Sequence, residues 1–391
     1  MVIRYEIQYI AYPIKNQFRH TCKVAKIELF YDWKIKPDSL GRSELPLRNN
    51  LMTLLQAVRS QGSISAAAKA LNLSYRHVWG ELKKWETQLG QDLIVWDKGQ
   101  PARLSIFGDK LLWTERQTQA RLAPQIETIR ADLERAMSLA LDPNAHVLTL
   151  HASHDDALSS FRDHAAQQGL HLDLKFNGSL VALQDLNEGR CTIAGFHTLA
   201  NVTSQSHIAH VYKPLLKPGL HKLMGFAVRQ QGLITAPGNP FKLQSLADVL
   251  QRRARFANRA EGTGTRVLLD HWLKTHGRQS EDLNGYETIE LSHAAVAERV
   301  ASGQADVGLG TQLAASQRGL CFVPWVEERY YFVCLKSAVD DPAVLKMQAA
   351  LNSPSWKQAL GHLQGYAPHA PGQVLSLRHE LPWWQYKKPK N

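Results

Sequence analysis

Three short turns in this sequence combine hydroxyl groups, glycines and positive charge in a way that suits a small anion. They are Ser153-His154, Gly178-Ser179 and EGTGTR at residues 261–266, and each follows an apolar strand pattern and precedes a helical one. The free N–H groups and the dipole at the start of a helix favour a bound anion. Arg259 and Arg266 add positive charge beside the third turn. The combination predicts a cleft that holds an oxyanion.

The alternative interpretation is that Ser153, Ser179 and Thr265 are ordinary N-caps, which is the usual role of such residues before a helix. Other chemistry has little support, because the sequence lacks GxGxxG, GxxxxGK[ST] and GxSxG motifs. Its four cysteines stand far apart, and a strand would send His146 and His151 to opposite faces. We therefore predict no catalytic residue, no cofactor and no metal site.

A second group of candidate residues lies on one face of a helix predicted over residues 75–89. Tyr75, Arg76, Trp79 and Lys83 share that face, and such side chains contact phosphates and base edges in DNA complexes. The other face is an apolar stripe that consists of Val78, Leu82, Trp85 and Leu89. One face thus suits a protein core and the other a nucleic acid, although a small helical bundle with an ordinary basic surface is the alternative.

The elements around this helix are those of a winged helix-turn-helix domain over residues 47–107. A first apolar helix ends at Gly62, a second begins after Ser63, and the third begins after Ser74. Both serines are good N-caps. The segment DLIVWDKGQPARLSIF holds two apolar runs on either side of a turn, which predicts the hairpin of the wing.

The segment GSISAAAKALNLSYRHVWGELKKWETQLG resembles the DNA-binding domain of ModE-type molybdate-responsive regulators and, more loosely, that of LysR-type regulators. SYRHVW is the feature most similar to ModE, and the resemblance covers about residues 51–108. It implies that the third helix enters the major groove of double-stranded DNA while the wing contacts the phosphate backbone. The expected DNA contacts are Ser63, Ser65, Ser74, Tyr75, Arg76, His77, Trp79, Lys83, Lys98 and Arg103.

Residues 108–141 predict a long linker helix that pairs with a second copy of the chain. The residues with heptad spacing are Leu122, Ile126, Ile129 and Leu133. A dimer would present two recognition helices to two half-sites on the DNA. Pro124 lies inside the pattern, so we expect a bend or a restart of the helix there. Packing of the linker helix on its own effector domain is the alternative.

Residues 146–391 alternate strand and helix patterns, which predicts a two-lobed α/β domain with a mainly parallel sheet. HKLMGFAVR and CFVPWVEERYYFVCL have the pattern of strands that cross between the lobes.

The segments NGSLVALQDLNEGRCTIAGFH, NRAEGTGTR and VASGQADVGLG resemble the type 2 periplasmic-binding-protein fold, which LysR-type regulators use as an effector domain. A molybdate-binding-protein-like form of that fold is attached to ModE-like winged helices. The resemblance covers about residues 146–370. With the turns described above, it makes these residues candidates for ligand contact: Ser153, His154, Ser179, His197, Arg259, Thr263, Gly264, Thr265 and Arg266.

The composition agrees with a nucleic-acid partner. The chain of 391 residues has a formal net charge of +11, which favours a polyanion such as DNA, an acidic membrane surface or anionic small molecules. No apolar run is long enough to span a membrane, and the N-terminus lacks the apolar core of a signal peptide. We therefore expect a cytoplasmic protein without a membrane partner. Residues 1–46 form an extension with a possible strand in VAKIELFYDWKIKP.

The predicted fold is multidomain: a mainly α winged helix-turn-helix, a long linker helix and a two-lobed α/β domain of the periplasmic-binding-protein type. The predicted function is a ligand-responsive transcriptional regulator, a homodimer or higher homo-oligomer, that senses a small anion. The resemblance suggests molybdate, tungstate or a molybdopterin-related compound, while sulfate, phosphate or a small carboxylate fits the residues equally well. The alternatives are an enzyme of anion or cofactor metabolism that uses the winged helix for protein interaction, and an anion-binding or storage protein.

Overall fold

The computed structural model describes residues 2–11, 23–32, 49–96, 100–141, 146–200 and 202–384. The chain divides into two compact units, Met1–Gln119 and Ala120–Asn391. The first unit begins with two antiparallel strands, β1 (Val2–Ala11) and β2 (Lys23–Asp32). The alternating pattern in VAKIELFYDWKIKP predicted β2. Strand β1 was not predicted, although VIRYEIQYIA also alternates apolar and polar residues.

Three helices and a short hairpin follow, as the sequence predicted. The helices are α1 (Asn49–Gln61), α2 (Ile64–Ala70) and α3 (Tyr75–Leu89), and the hairpin pairs β3 (Ile94–Val95) with β4 (Arg103–Leu104). Ser63 and Ser74 are the N-caps, since their hydroxyls accept the N–H groups of Ala66 and His77 at 3.1 Å. Gly90 ends α3 with a φ of 63°, a left-handed conformation that favours glycine. The apolar faces of the three helices form one core with the hairpin.

The linker is one helix, α4 (Ile106–Leu141), which begins two residues before the predicted start. The predicted restart at Pro124 is wrong, because the helix continues through this residue. A proline cannot donate its backbone nitrogen to the carbonyl four residues earlier, which here belongs to Ala120. The Ser292 hydroxyl donates to that carbonyl at 3.0 Å. The second unit thus supplies the hydrogen bond that Pro124 removes from α4.

The second unit begins with the predicted β-α-β-α-β order. Strand β5 pairs in parallel with β6 and with β7. The elements of this first lobe are β5 (His146–Ala152), α5 (Asp156–Gln167), β6 (Leu170–Phe176), α6 (Ser179–Asn187), β7 (Ile193–Leu199) and α7 (His207–Tyr212). The apolar faces of β5, α5 and β6 pack on α12 (Pro342–Asn352) and α13 (Pro354–Gly361) from the C-terminal part of the chain, whereas α6 and α7 belong to a second core.

A second lobe forms around a smaller group of strands. Its elements are α8 (Leu246–Gln251), β9 (Phe256–Arg259), α9 (Gly264–Thr275), β10 (Ile289–Glu290), α10 (His293–Ala301), β11 (Val307–Thr311) and α11 (Gln312–Ser316). Strand β9 pairs in parallel with β10 and with β11. The predicted strand, glycine-rich turn and helix therefore occur in this lobe as β9, the EGTGTR turn and α9.

Two long strands lie between the lobes in the sheet. They are β8 (His221–Thr235) and β12 (Cys321–Leu335), which pair antiparallel with each other along their whole length. The order β10-β9-β11-β8-β12-β7-β5-β6 places them between the strands of the two lobes, which confirms the predicted crossing. The C-terminal elements β13 (Tyr366–Pro368) and β14 (Val374–Leu375) pair with β8, and α14 (Leu377–Glu380) follows.

Candidate functional site

The first candidate site is the exposed face of α3. Tyr75, Arg76 and His77 are exposed in its first turn, and Ser65 is exposed on α2. These side chains are accessible to a ligand as predicted. Ser63 and Ser74 use their hydroxyls as N-caps, which fixes the starts of α2 and α3. Arg103 is exposed on the wing strand β4, whereas Lys98 lies outside the described residues.

Trp79 and Lys83 have intramolecular partners in addition to their predicted role. The Trp79 ring lies 5.1 Å from the ring of Trp96, which follows β3 in the wing. The Lys83 ammonium lies 4.7 Å from the centre of the Trp79 ring and 2.5 Å from a carboxylate oxygen of Glu86. Trp79 therefore braces α3 against the wing, whereas Lys83 contacts its own helix. Within the part of the chain that the structure describes, Arg76 has no ion-pair partner.

Glu86 is a residue of this site that the sequence analysis missed. Its side chain is buried, and one carboxylate oxygen accepts the backbone N–H groups of Leu93 and Ile94 at 2.9 and 3.0 Å. The hydrogen bonds join α3 directly to the first wing strand. The signal in the sequence was a glutamate on the apolar stripe, next to Trp85 and one turn after Leu82.

The second candidate site lies where the two lobes meet. The hydroxyls of Ser153 and Ser179 are buried and lie 3.2 Å apart. Asp155 caps α5, and Gly178 is the N-cap of α6, so the interpretation of Ser153 and Ser179 as N-caps is wrong. The hydroxyl of Ser153, which follows β5, thus lies beside that of Ser179, the first residue of α6, and neither hydroxyl caps a helix.

Thr265 is not an N-cap either. It lies inside the first turn of α9, and its hydroxyl accepts a hydrogen bond from the side-chain amide of Gln231 at 2.9 Å. Thr263 is the N-cap of α9, and it also donates its hydroxyl to the carbonyl of Ala260 at 2.7 Å. Of the two predicted threonines, Thr263 is therefore committed to the turn, and Thr265 links α9 to the crossing strand β8.

Glycines allow the close approach of the two lobes at this place. A Cβ atom at Gly178 would lie 2.9 Å from the carbonyl oxygen of Gly262 in the opposite lobe. A Cβ atom at Gly264 would lie 3.0 Å from the Cβ of His197. The N–H of Leu180 donates to the Gly262 carbonyl at 3.2 Å. Gly178 and Gly264 thus have a steric role at the cleft.

Arg259 is the most unusual side chain of the cleft. It is 1% exposed, and in the described part of the chain its Nε and Nη1 atoms have no hydrogen-bond partner. Burial lowers its pKa to about 9, and the nearby positive charge of Arg229 acts in the same direction. A buried cation without a direct partner is unfavourable unless an anion joins it.

Two buried histidines accompany this arginine. Both ring nitrogens of His197 and the Nδ1 of His293 lack a hydrogen-bond partner among the residues that the structure describes, although the Nε2 of His197 lies 3.9 Å from a carboxylate oxygen of Asp155. Burial, followed by the positive charges of Arg229 and Arg259, lowers the pKa of His197 far below its usual value. Its neutral ring can therefore donate one hydrogen bond and accept another.

Arg266 and His154, both predicted to contact ligand, have partners within the protein. The Arg266 guanidinium pairs with Asp270 at 3.2 Å and lies 3.8 Å from the centre of the Tyr286 ring. His154 approaches the carboxylate of Glu127 at 3.3 Å. Arg259 is therefore the better candidate for binding an anion, and Arg266 positions the strand end by donating to the Arg259 carbonyl at 3.3 Å.

A buried ion-pair network forms the floor between the lobes, and the sequence analysis missed it. Arg229 of β8 bonds to Asp155 at 2.5 Å and to Glu328 of β12 at 2.9 Å. The Tyr366 hydroxyl also donates to Asp155 at 2.9 Å. Both carboxylates therefore already have partners, and they leave Arg259 without a carboxylate of its own. The signal was an arginine and a glutamate within the apolar strands β8 and β12.

A cavity of about 400 Å³ opens beside these groups. One wall comes from α4 and includes Pro124, Gln125, Thr128 and Ile129. The remaining lining includes Ser153, His154, Gly178, Arg259 and Thr263, which are five of the residues around the predicted turns. Ser179, His197, Thr265 and Arg266 are buried behind this lining.

Helix α4 contacts both lobes beside this cavity. Arg121 donates two hydrogen bonds, at 2.7 and 2.9 Å, to the buried carboxylate of Glu290 in the second lobe. Glu127 accepts the hydroxyl of Ser159 in the first lobe at 2.5 Å. Burial raises the pKa of Glu127, but its hydrogen bonds to His154 and Ser159 and nearby positive charges outweigh this effect and hold the pKa below its usual value.

The predicted dimerisation residues remain accessible on α4. Ile129 and Leu133 are each 40% exposed, and Leu122 and Ile126 are half-buried. Ala131, on another face, is buried in the core of the first lobe. The alternative of packing on the chain's own effector domain is thus observed, and it leaves the heptad residues available to a partner.

The fold and these two sites define a class of protein. A helix-turn-helix unit, of the kind that binds DNA, is joined to a two-lobed domain, of the kind that binds a small ligand. Residues 49–109 match the family described as bacterial regulatory helix-turn-helix protein, lysR family. Residues 162–352 match the PBP superfamily domain. The chain therefore carries a lysR-family helix-turn-helix domain followed by a PBP superfamily domain. This confirms the LysR part of the predicted resemblance, while the resemblance to ModE stays a prediction.

Two relatives share parts of the sequence. The uncharacterized protein YvgK of Bacillus subtilis (strain 168) is 36% identical over 201 residues, which are 51% of this chain and 64% of that protein. An uncharacterized protein in the ferredoxin 2Fe-2S gene 5′ region of Clostridium pasteurianum is 31% identical over 111 residues, which are 28% of this chain and 98% of the relative. The chain thus spans less than two thirds of the length of YvgK.

Solved structures with a similar outline have low sequence identity. The H2O2-bound C206S mutant of Corynebacterium glutamicum OxyR is 16% identical with a TM-score of 0.39, covering 82% of this chain and 97% of that one. Full-length CbnR in complex with its target DNA is 14% identical with a TM-score of 0.37, covering 78% and 98%. In the described residues, no helix is both long and apolar enough to cross a membrane.

Proposed function

We propose that the chain is a transcriptional regulator that binds double-stranded DNA and responds to a small oxyanion. The lysR-family match supports the DNA-binding part, together with the exposed Tyr75, Arg76 and His77 on α3. The PBP superfamily match supports the ligand-binding part. The regulator acts in the cytoplasm as a homodimer or higher homo-oligomer, in which the heptad residues of α4 pair with a second copy.

The observation that carries the anion proposal is the buried, unpartnered guanidinium of Arg259 at a cavity lined by Ser153. An anion there would supply the missing countercharge and accept hydrogen bonds from the guanidinium and the hydroxyl. The network of Arg229 with Asp155 and Glu328 is complete by itself, so it does not compete for the ligand. Among anions of this size we favour molybdate or tungstate, with a molybdopterin-related compound, sulfate, phosphate and small carboxylates as the alternatives.

Helix α4 gives the ligand a direct route to the DNA-binding unit. Its Gln125 and Thr128 line the cavity, and Arg121 and Glu127 hold it to opposite lobes. A ligand that draws the lobes together favours the arrangement in which both contacts are made. A ligand shifts an equilibrium only by the difference between its affinities for the two states. The anion must therefore bind the arrangement with both α4 contacts more tightly than an arrangement without them.

The DNA part is tested by fluorescence anisotropy of full-length protein with labelled duplex DNA at several salt concentrations. We expect affinity to fall as salt rises, and Arg76→Ala to weaken binding and to reduce the slope of log affinity against log salt by about 1. Lys84→Ala is the matched control, because Lys84 is exposed on α3 and pairs with Glu81. An unchanged affinity in Arg76→Ala would place recognition elsewhere.

The anion part is tested by thermal unfolding of the full chain with molybdate, tungstate, sulfate, phosphate and formate. A ligand that binds only the folded state adds about 2.7 kcal/mol at a hundredfold excess over its Kd. We expect a selective upward shift in Tm for at least one oxyanion, and a change in DNA affinity with the same anion. A shift in Tm without any effect on DNA binding would favour an anion-binding protein over a regulator.

A further inference from the structure

A second cavity lies at the other end of the crossing strands, away from the cleft described above. It has a volume of about 270 Å³ and is lined by the start of β8, the residue after β12, and the segment before and within α14. The lining side chains are mainly donors and cations, and no carboxylate is among them: Pro218, Gly219, His221, Lys222, Lys336, Ser376, Leu377 and Arg378.

The sheet brings the two lysines of this cavity together. Lys222 is the second residue of β8, and Lys336 directly follows β12. The strand register pairs Lys222 with Cys334 and His221 with Leu335, so the two lysines leave adjacent antiparallel strands at the same end. In the part of the chain that the structure describes, neither lysine forms an ion pair. Two like charges that line one cavity repel each other until an anion joins them.

His221 supplies a buried donor that has no partner. The residue is 1% exposed, and its Nδ1 accepts the backbone N–H of Lys217 at 3.0 Å. Burial and the charge of Lys217 lower the pKa of His221, so the ring is neutral at pH 7 and carries its proton on Nε2. That Nε2 is buried without a hydrogen-bond partner among the described residues.

The hydroxyl of Ser376 adds one more donor. Ser376 precedes α14, but its side chain does not cap that helix. The residues that line the cavity thus carry two ammonium groups, one imidazole N–H and one hydroxyl, and they come from three separate segments of the chain. A tetrahedral oxyanion can accept from donors in several directions, whereas a planar carboxylate offers only two oxygens.

We propose that this cavity is a second anion site that binds a phosphate group, either as free inorganic phosphate or as a phosphate monoester. Lys222 and Lys336 supply the countercharge, while His221 and Ser376 orient the oxygens. The site is independent of the cleft at Arg259, because the two share no lining residue.

The test uses isothermal titration calorimetry on full-length Arg259→Met, in which the cleft has lost its cation. The variant is titrated with inorganic phosphate and, separately, with glycerol 3-phosphate. We expect binding of one equivalent, and a loss of about tenfold or more in affinity when Lys222→Gln and Lys336→Gln are added, since each charged hydrogen bond contributes on that scale. The matched control adds Lys242→Gln and Lys274→Gln, which remove two exposed charges elsewhere. Tighter binding of glycerol 3-phosphate identifies a phosphorylated metabolite as the ligand class, and binding of phosphate alone identifies the free ion.

The proposal is overturned if Arg259→Met binds neither compound, or if the cavity and control variants lose affinity equally. Lys336→Gln alone serves as a second variant, because its exposed side chain can be replaced without disturbing the core. Full affinity in that variant, with an unchanged Tm, would also overturn the proposal.

Discussion

Replacement of Arg259 by methionine should have opposite effects on the empty and the liganded protein. A pKa lowered from 12.5 to about 9 corresponds to a cost of about 5 kcal/mol for keeping the guanidinium charged in the folded chain. That net value already includes the attraction of Asp155 and the other nearby carboxylates. Replacement of buried charged groups by apolar side chains of similar volume stabilises proteins by about 1–4 kcal/mol. We expect a gain of about 2 kcal/mol, and thus a rise in Tm of about 4–8 °C without ligand.

The same variant should no longer respond to the anion. Wild-type protein at a hundredfold excess of anion over Kd gains about 2.7 kcal/mol from binding, whereas Arg259→Met should gain almost nothing. The assay is differential scanning fluorimetry of both proteins, with and without an anion other than phosphate that shifts the wild type, because phosphate is also expected to bind the second cavity. Arg252→Met is the control, because it removes an exposed arginine from the same lobe.

Two results would refute this reasoning. If Arg259→Met lowers the Tm of the ligand-free protein, the arginine has a structural partner that outweighs its burial. If the variant keeps the full anion response, the cation does not belong to the binding site. Arg252→Met should change neither quantity, so a response there would show that net charge alone controls the stability.

Three further outcomes are expected. Glu86→Ala should lower the free energy of unfolding of the helix-turn-helix domain by about 2–4 kcal/mol, because two buried N–H groups of the wing lose their acceptor. Chemical denaturation measures this loss, with Glu81→Ala as the control. An equal loss of unfolding free energy in both variants would indicate a general effect on the helix. The pKa of Glu127 is lower in the folded chain than the usual 4.5, so its stabilising contribution is complete above that value and is lost as the pH falls through the folded pKa. Glu127→Gln should therefore destabilise the protein at neutral pH, and its difference from wild type should shrink as the pH falls below 4.5. An equal difference at every pH would exclude this carboxylate as the cause. Leu133→Glu should dissociate the oligomer in light-scattering measurements, because a charge replaces a 40% exposed apolar side chain on the heptad face; an unchanged mass would show that this face is not the interface.

Local signals in the sequence were sufficient for the helix-turn-helix domain. Ser63, Ser74 and Gly90 mark helix ends by their own hydrogen-bonding capacity and backbone freedom, and the structure uses each of them in that way. The same approach failed in the cleft, where Ser153 and Ser179 have the residue type of N-caps but not the role. The cap of α5 is Asp155, only two residues away, and residue type alone could not decide between the two positions.

Contacts between distant segments account for the rest of what the sequence did not predict. Pro124 is a sound reason to expect a break in an isolated helix, and the hydroxyl that compensates for it belongs to Ser292, 168 residues later. In the same way, Arg229 and Glu328, each taken alone, are charged residues that weaken the prediction of two apolar strands. The pairing of β8 with β12 brings Arg229 to both Glu328 and Asp155. Asp155, whose charge acts on Arg259, is therefore already paired. The proposal that Arg259 binds an anion rests on this arrangement, which only the folded chain reveals.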